Sequence, residues 1–244
     1  MRINDLTVIF DDFSLDKAVV FHDQLNPKLW KDNSLSPEIR KGLLVIAKDF
    51  VDFIGIKLPL VDVTISGSNA AYSYTSYSDI DLHLVVESPD SDQLEELYDA
   101  KKNQYNTIHD IKVKGIDVEL YVQPKDQVHH SLGIYSVLYN KWISEPKQEE
   151  VDIDSKDVQE KYEQYRGKIE TVLKSDNIAV VKEIWNDIKR MRKAGLEKQG
   201  EFSVENIAFK ILRNEGLLEK IKNHMQSLED KDLSIEQFGN NYEN

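Results

Sequence analysis

The chain of 244 residues has room for one large or two small domains and, at 40% hydrophobic residues, enough apolar side chain to bury a core. With no cysteine it has no disulfide framework, no thiolate zinc site and no cysteine nucleophile, so any metal must be held by oxygen or imidazole. Residues 1–154 carry 15 basic and 27 acidic side chains, which is −12 of the net −13, and that balance argues against non-specific binding along duplex DNA.

No apolar run approaches membrane-spanning length, and Met1-Arg2-Ile3-Asn4-Asp5 lacks the basic-then-apolar layout of a signal peptide. A cytoplasmic protein without a membrane partner is the expectation. Residues 1–34 mix short apolar runs such as Leu6–Phe10 with polar turns and read as an irregular wrapping segment. Ser36-Pro37-Glu38 is a helix start, with a capping hydroxyl, proline at the first helical position and an acid in the first turn. Ile39, Leu43, Ile46, Ala47, Phe50 and Phe53 or Ile54 then keep a helical period up to Gly55, a C-terminal stop.

Leu60–Ser66 is β-branched and alternating, a strand that ends on Gly67-Ser68. Glycine lets a backbone N–H approach a phosphate without a Cβ in the way, and the serine hydroxyl adds a donor, so a phosphate could dock there. A polar crossing of about ten residues leads to a second strand, in which Ile80, Leu82, Leu84 and Val86 alternate with Asp79, Asp81 and His83. Asp79 and Asp81 therefore share a face at a backbone separation of roughly 7 Å, close enough for their oxygens to converge on a pair of divalent cations. His83 continues that face. It is either a hydrogen-bonding partner of a metal-bound carboxylate or substrate, or a plain strand histidine.

After a turn at Ser88-Pro89-Asp90, Gln93–Asn106 reads as a polar-rich helix with Leu94, Leu97, Tyr98 and Tyr105 inward. Ile111–Val113 and Ile116–Val122 form a hairpin turning at Lys114-Gly115. On its second strand Asp117 and Glu119 share the face opposite Ile116, Val118, Leu120 and Val122. Residues 133–143 read as a further hairpin extending the sheet. Acid-rich Glu145–Glu160 lacks apolar periodicity and looks like a solvated linker. Three helical stripes follow: Val158 to Val172, Val181 to Met191, and Val204 to Met225 with a break expected at Gly216. Beyond Lys231 the period is lost and the tail should fray. The expected fold class is α+β, a small mixed sheet with flanking helices and a helical C-terminal unit. The expected boundaries are 1–144 for the core, 145–156 for the linker and 157–244 for the helical domain.

The constellation Gly67-Ser68, about ten residues, then Asp79-Ile80-Asp81-Leu82 resembles the nucleotidyltransferase superfamily of DNA polymerase beta, over residues 60–123. The resemblance implies a third acid on a neighbouring strand, for which Glu119 is favoured and Asp117 is the competitor. It implies transfer of a nucleoside monophosphate from a nucleoside triphosphate, ATP among the candidates, with two Mg²⁺ (or Mn²⁺) ions on Asp79, Asp81 and the third acid. The triphosphate would lie at Gly67 and Ser68. The acceptor is left open among a small molecule, a nucleotide, a protein and an RNA end. Such enzymes often supply a basic residue from an adjacent helical region. Lys189 and Arg192, three apart in the dense run Lys189–Lys193, would serve, although a solvated helix terminus explains the run as well.

Other chemistries have weaker support. No His-x3-His pair suggests zinc, no Gly-x-Ser-x-Gly elbow surrounds Ser68, and neither a P-loop nor a Gly-x-Gly-x2-Gly run is present. The competing reading is a catalytically silent nucleotide-binding or scaffolding module that kept the fold.

Overall fold

The computed structural model describes residues 13–88, 91–127, 131–148 and 151–234. The expected run Leu6–Phe10, Pro89-Asp90 of the expected turn and the tail beyond Ser234 lie outside the described residues. The chain is mixed α and β and divides into two compact units, one taking Val19–Glu150 and the other Met1–Ala18 with Val151–Asn244.

In the sheet unit, β1 (Trp30–Lys31) and β2 (Ser34–Leu35) pair antiparallel around Asp32 and Asn33, both at positive φ. This left-handed pair forms a tight hairpin inside the segment expected to be irregular. Helix α1 (Pro37–Ile54) runs between the expected stops, with Gly55 left-handed at its end (φ 75°). Ser36 sits at the N-cap position, but its hydroxyl makes no capping bond. Proline at the first turn, which needs no N–H partner there, is the start signal that operates.

Strands β3 (Leu60–Ser66) and β4 (Ile80–Val86) are antiparallel neighbours, and helix α2 (Asp92–Ile108) follows β4. The hairpin strands β5 (Lys112–Val113) and β6 (Ile116–Pro124) turn at Lys114-Gly115, both at positive φ. β7 (Ile134–Ser136) and β8 (Lys141–Ser144) complete a six-stranded sheet of order β5-β6-β4-β3-β7-β8. Among the described strands only β4 and β6 pair in parallel, and α2 lies in the crossover that such a pair needs.

Ile80, Leu82, Leu84 and Val86 are each 0% exposed, in one cluster with Ile39, Leu43 and Phe50 of α1 and Tyr98 and Tyr105 of α2. Full burial of such side chains contributes about 1.5–3 kcal/mol each. Leu97, expected inward on α2, is exposed. The free edge of β6 is closed by Asn106. Its Nδ2 donates to the Leu120 carbonyl at 2.9 Å, and its Oδ1 accepts the Leu120 N–H at 3.1 Å, so the carboxamide stands in for a strand.

The helical unit contains α3 (Ser155–Val172), α4 (Ile178–Gln199), α5 (Val204–Asn214) and α6 (Leu217–Leu233). Asp154, Asn177 and Ser203 cap the first three. Gly216 (φ 73°) makes the break between α5 and α6, and α6 continues through Lys231 to Leu233. A Cβ on Gly195 would stand 2.6 Å from the Glu205 Cβ, so glycine permits the close approach of α4 to the start of α5. Residues 13–18, expected with the core, pack in this unit instead. Lys17 pairs with Glu215 at 2.9 Å, and the Phe13 and Tyr162 rings meet at 5.6 Å. Local sequence carries no signal of which unit an irregular terminal segment joins. No helix among the described residues is long and apolar enough to cross a membrane.

Candidate metal centre

The parallel register of β4 and β6 sets Asp81 opposite Glu119, and the antiparallel register of β3 and β4 sets Ser66 opposite Asp81. Paired residues project to the same face, so Ser66, Asp81 and Glu119 form a row across three strands, and Asp79 lies one pleat away just before β4. One carboxylate oxygen from each of Asp79, Asp81 and Glu119 lies within 4.8 Å of the others, and all three residues are half-buried. A set of carboxylate oxygens is a hard donor set, suited to ions such as Mg²⁺, Mn²⁺ or Ca²⁺. The three acids are close enough to hold a metal ion.

The backbone before the acids is fitted to them. Gly67 has φ 72°, a conformation that favours glycine, and a Cβ there would stand 2.0 Å from Asp81 Oδ2, so a larger residue would displace that carboxylate. Its N–H donates to Ser131 Oγ at 2.8 Å, and Ser68 Oγ shares a hydrogen bond with Ser78 Oγ at 2.7 Å. The two groups expected to meet phosphate thus have hydroxyl partners within the unit. Asn69, 1% exposed, joins the short 3-10 turn Ser68–Ala70 to the acids. Its Nδ2 donates to the carbonyls of Ser78 (3.1 Å) and Asp79 (2.8 Å), while its Oδ1 accepts from Asn26 at 2.8 Å.

Behind the acid row, His83 pairs in register with Tyr121 and with Thr64. The His83 and Tyr121 rings stack at 4.8 Å and 17°, and His83 Nε2 lies 3.0 Å from Ser66 Oγ. Tyr121 lies two residues beyond Glu119 on β6. Burial, followed by the charges of Asp81 and Glu119, pushes this phenol far above its ordinary value, so it remains a proton donor.

Asp117, one pleat from Glu119 toward the hairpin, is exposed, pairs with Lys112 and stands outside the cluster. Lys189 and Arg192 belong to α4 of the helical unit. Lys189 is exposed with its Nζ over the Trp185 ring, and the Arg192 guanidinium lies 4.4 Å from the Phe209 ring centre with Nε donating to Asn206 Oδ1.

Sequence reasoning missed Tyr121 and Asn69. Tyr121 is legible in the sequence, two residues beyond Glu119 on an alternating strand. Asn69 carried no local signal, because its partners lie 9, 10 and 43 residues away. Searches against protein-family models, curated proteins and solved structures each return no match.

Proposed function

We propose that the chain is a metal-dependent nucleotidyltransferase that moves a nucleoside monophosphate from a nucleoside triphosphate to an acceptor. The observation that supports this reading is the convergence of Asp79, Asp81 and Glu119 immediately after a Gly-Ser turn whose glycine abuts Asp81. In the reaction an acceptor oxygen forms a bond to the α-phosphorus, the bond from that phosphorus to the bridging oxygen breaks, and pyrophosphate leaves. Two Mg²⁺ or Mn²⁺ ions would supply activation of the attacking oxygen and neutralisation of the departing charge.

The chain's own residues do the positioning. Asp79 and Asp81 offer oxygens from adjacent pleats of one strand face, and Glu119 adds a third from the parallel neighbour. The Gly67 N–H and Ser68 hydroxyl exchange their serine partners for phosphate oxygens. The acceptor belongs to the class of small molecules, nucleotides, protein side chains or RNA ends.

The test is incubation with each labelled triphosphate, Mg²⁺ or Mn²⁺ and cell extract, with Asp81→Ala as control. Label transferred by the wild type alone supports the reading. Triphosphate binding without transfer under any condition overturns it in favour of a silent nucleotide-binding module.

A further inference from the structure

Helix α1 buries one stripe, Ile39, Leu43, Ala47, Phe50 and Ile54, against the sheet. A second stripe at helical spacing, Pro37, Arg40, Lys41, Leu44, Val45 and Lys48, lies on another side of the helix. With Leu35 and Asn140 it lines a groove of about 430 Å³. The helix packs on the apolar face of the sheet, and strand alternation puts Asp81 and Glu119 on the other face, so this groove stands apart from the acid row.

Its lining carries charge of one sign. Arg40, Lys41 and Lys48 are its charged residues and no carboxylate lines it, in a chain where acids outnumber bases 44 to 31. Arg40 is half-buried and fixed in place: its Nε donates to the Val137 carbonyl and its Nη2 to the Leu138 carbonyl, each at 2.7 Å. These bonds set the planar fork without neutralising it, and neither Arg40 nor Lys41 makes an ion pair among the described residues. A partly desolvated guanidinium held without a counter-ion is stabilised by an anion that reaches its remaining N–H groups. Lys48 has only Asp52, in an exposed pair of the kind that contributes little. Asn140 accepts from the Tyr135 hydroxyl at 3.1 Å through Oδ1, so what remains of its carboxamide is a donor. Between the cations lie Leu44 and Val45, and Val45 is 61% exposed.

We propose that this groove docks an acidic segment of a partner protein, in which two carboxylates flank an apolar side chain. Charge complementarity selects the carboxylates. Inorganic phosphate would meet the cations and leave Leu44 and Val45 in water, whereas a peptide segment covers both. Lys41 and Lys48 are two helical turns apart, about 10 Å, a span that an extended chain covers in about three residues. The segment that fits has the pattern Glu-Leu-x-Glu, with the leucine on Leu44 and Val45. The inference goes beyond the nucleotidyltransferase reading and does not depend on it.

The test is fluorescence polarisation of the full-length protein with three fluorescein-labelled peptides that differ only at their centres, Glu-Leu-Ser-Glu, Lys-Leu-Ser-Lys and Glu-Ser-Ser-Glu. The first is expected to bind at least about tenfold more tightly than either of the others at low salt, and to weaken as salt rises. Arg40→Gln and Lys41→Glu are each expected to weaken it about tenfold or more. Lys41 is exposed and holds no partner, so its reversal leaves the fold alone, and thermal melts check Arg40→Gln. No binding of the first peptide at millimolar protein, no preference for it, or affinity unchanged in both variants overturns the proposal. Binding to vesicles of phosphatidylcholine and phosphatidylserine that depends on Arg40 and Lys41, without peptide binding, overturns it in favour of a lipid surface.

Discussion

In the sheet unit a buried aspartate and several hydroxyls occupy strand positions, whereas the fully buried polar side chains of the helical unit are the uncharged Ser203 and Asn206 at the start of α5. Asp62, Thr64, Ser66 and Ser136 are all less than a tenth exposed on β3 and β7, beside the row that carries Asp81 and Glu119. The helical core is formed by apolar stripes such as Val158, Ile169, Ile188 and Ile211, each 0% exposed, with ion pairs such as Lys168–Asp187 (2.8 Å) outside it. Two aspartates show the contrast. Burial raises the Asp62 carboxyl above its ordinary value, against the lowering effect of the Ser136 and Val63 donors. The hydrogen bond from Lys168 lowers that of Asp187. A stable fold needs only the second arrangement. Polar burial of the first kind carries a desolvation cost, offset at Asp62 by the hydrogen bonds from Val63 and Ser136.

The largest expected effect breaks the acid row itself. Millimolar Mg²⁺ or Mn²⁺ is expected to raise the melting temperature of the wild type, and Asp81→Ala or Asp79→Ala is expected to abolish transfer and remove that rise. That rise corresponds to about 2.7 kcal/mol at a hundred times the dissociation constant. Calorimetry with and without the ion measures it, and an undiminished rise in either variant would disconnect the acids from metal binding.

Next is the choice between neighbours on one strand. Glu119→Gln is expected to cost most of the activity, roughly a hundredfold or more, and Asp117→Asn, whose partner is the exposed Lys112, less than about threefold. Turnover at saturating metal distinguishes them, and the reverse order would move the site one pleat toward the hairpin.

A subtler change tests whether the backbone ahead of the acids is positioned from a distance. Asn69→Asp sets a carboxylate oxygen against the Ser78 and Asp79 carbonyls in place of a donor. About 1–3 kcal/mol of destabilisation is expected from the lost buried bonds, with weaker metal binding, read by denaturant melts and Mn²⁺ titration.

The smallest effects concern the two aspartates. Asp62→Asn is expected to leave stability unchanged or raise it by up to about 1 kcal/mol at neutral pH. The raised folded pKa means that ionising Asp62 opposes folding once pH exceeds the unfolded value of 3.8, and asparagine can still accept from Ser136 and Val63. Asp187→Asn is expected to cost about 1 kcal/mol or less, because both partners are about a third exposed. Its depressed folded pKa places that contribution above pH 3.8, to be lost as pH falls through the folded value. Lys168, raised above 10.5, keeps its share below that pH and loses it as pH climbs through its folded value. Paired melts from pH 3 to 8 would show a gap between wild type and Asp187→Asn that is flat at neutrality and closes in acid.

The sequence by itself determined the helices, the hairpin at Lys114-Gly115, the break at Gly216 and the strand that carries Asp81 with Asp79 just before it. Each depends on a period or a backbone preference contained within a few residues. It also determined that Asp117 and Glu119 share a face, since alternation is a local property of a strand. Only the tertiary structure decided which of them meets Asp81, because parallel register is set by the α2 crossover and the packing of β4 against β6 rather than by either strand alone. The same holds for Asn69 on the Asp79 carbonyl, Gly67 against Asp81 and residues 13–18 within the helical unit. These contacts join positions distant in sequence, and the geometry that brings them together exists only once the chain has folded.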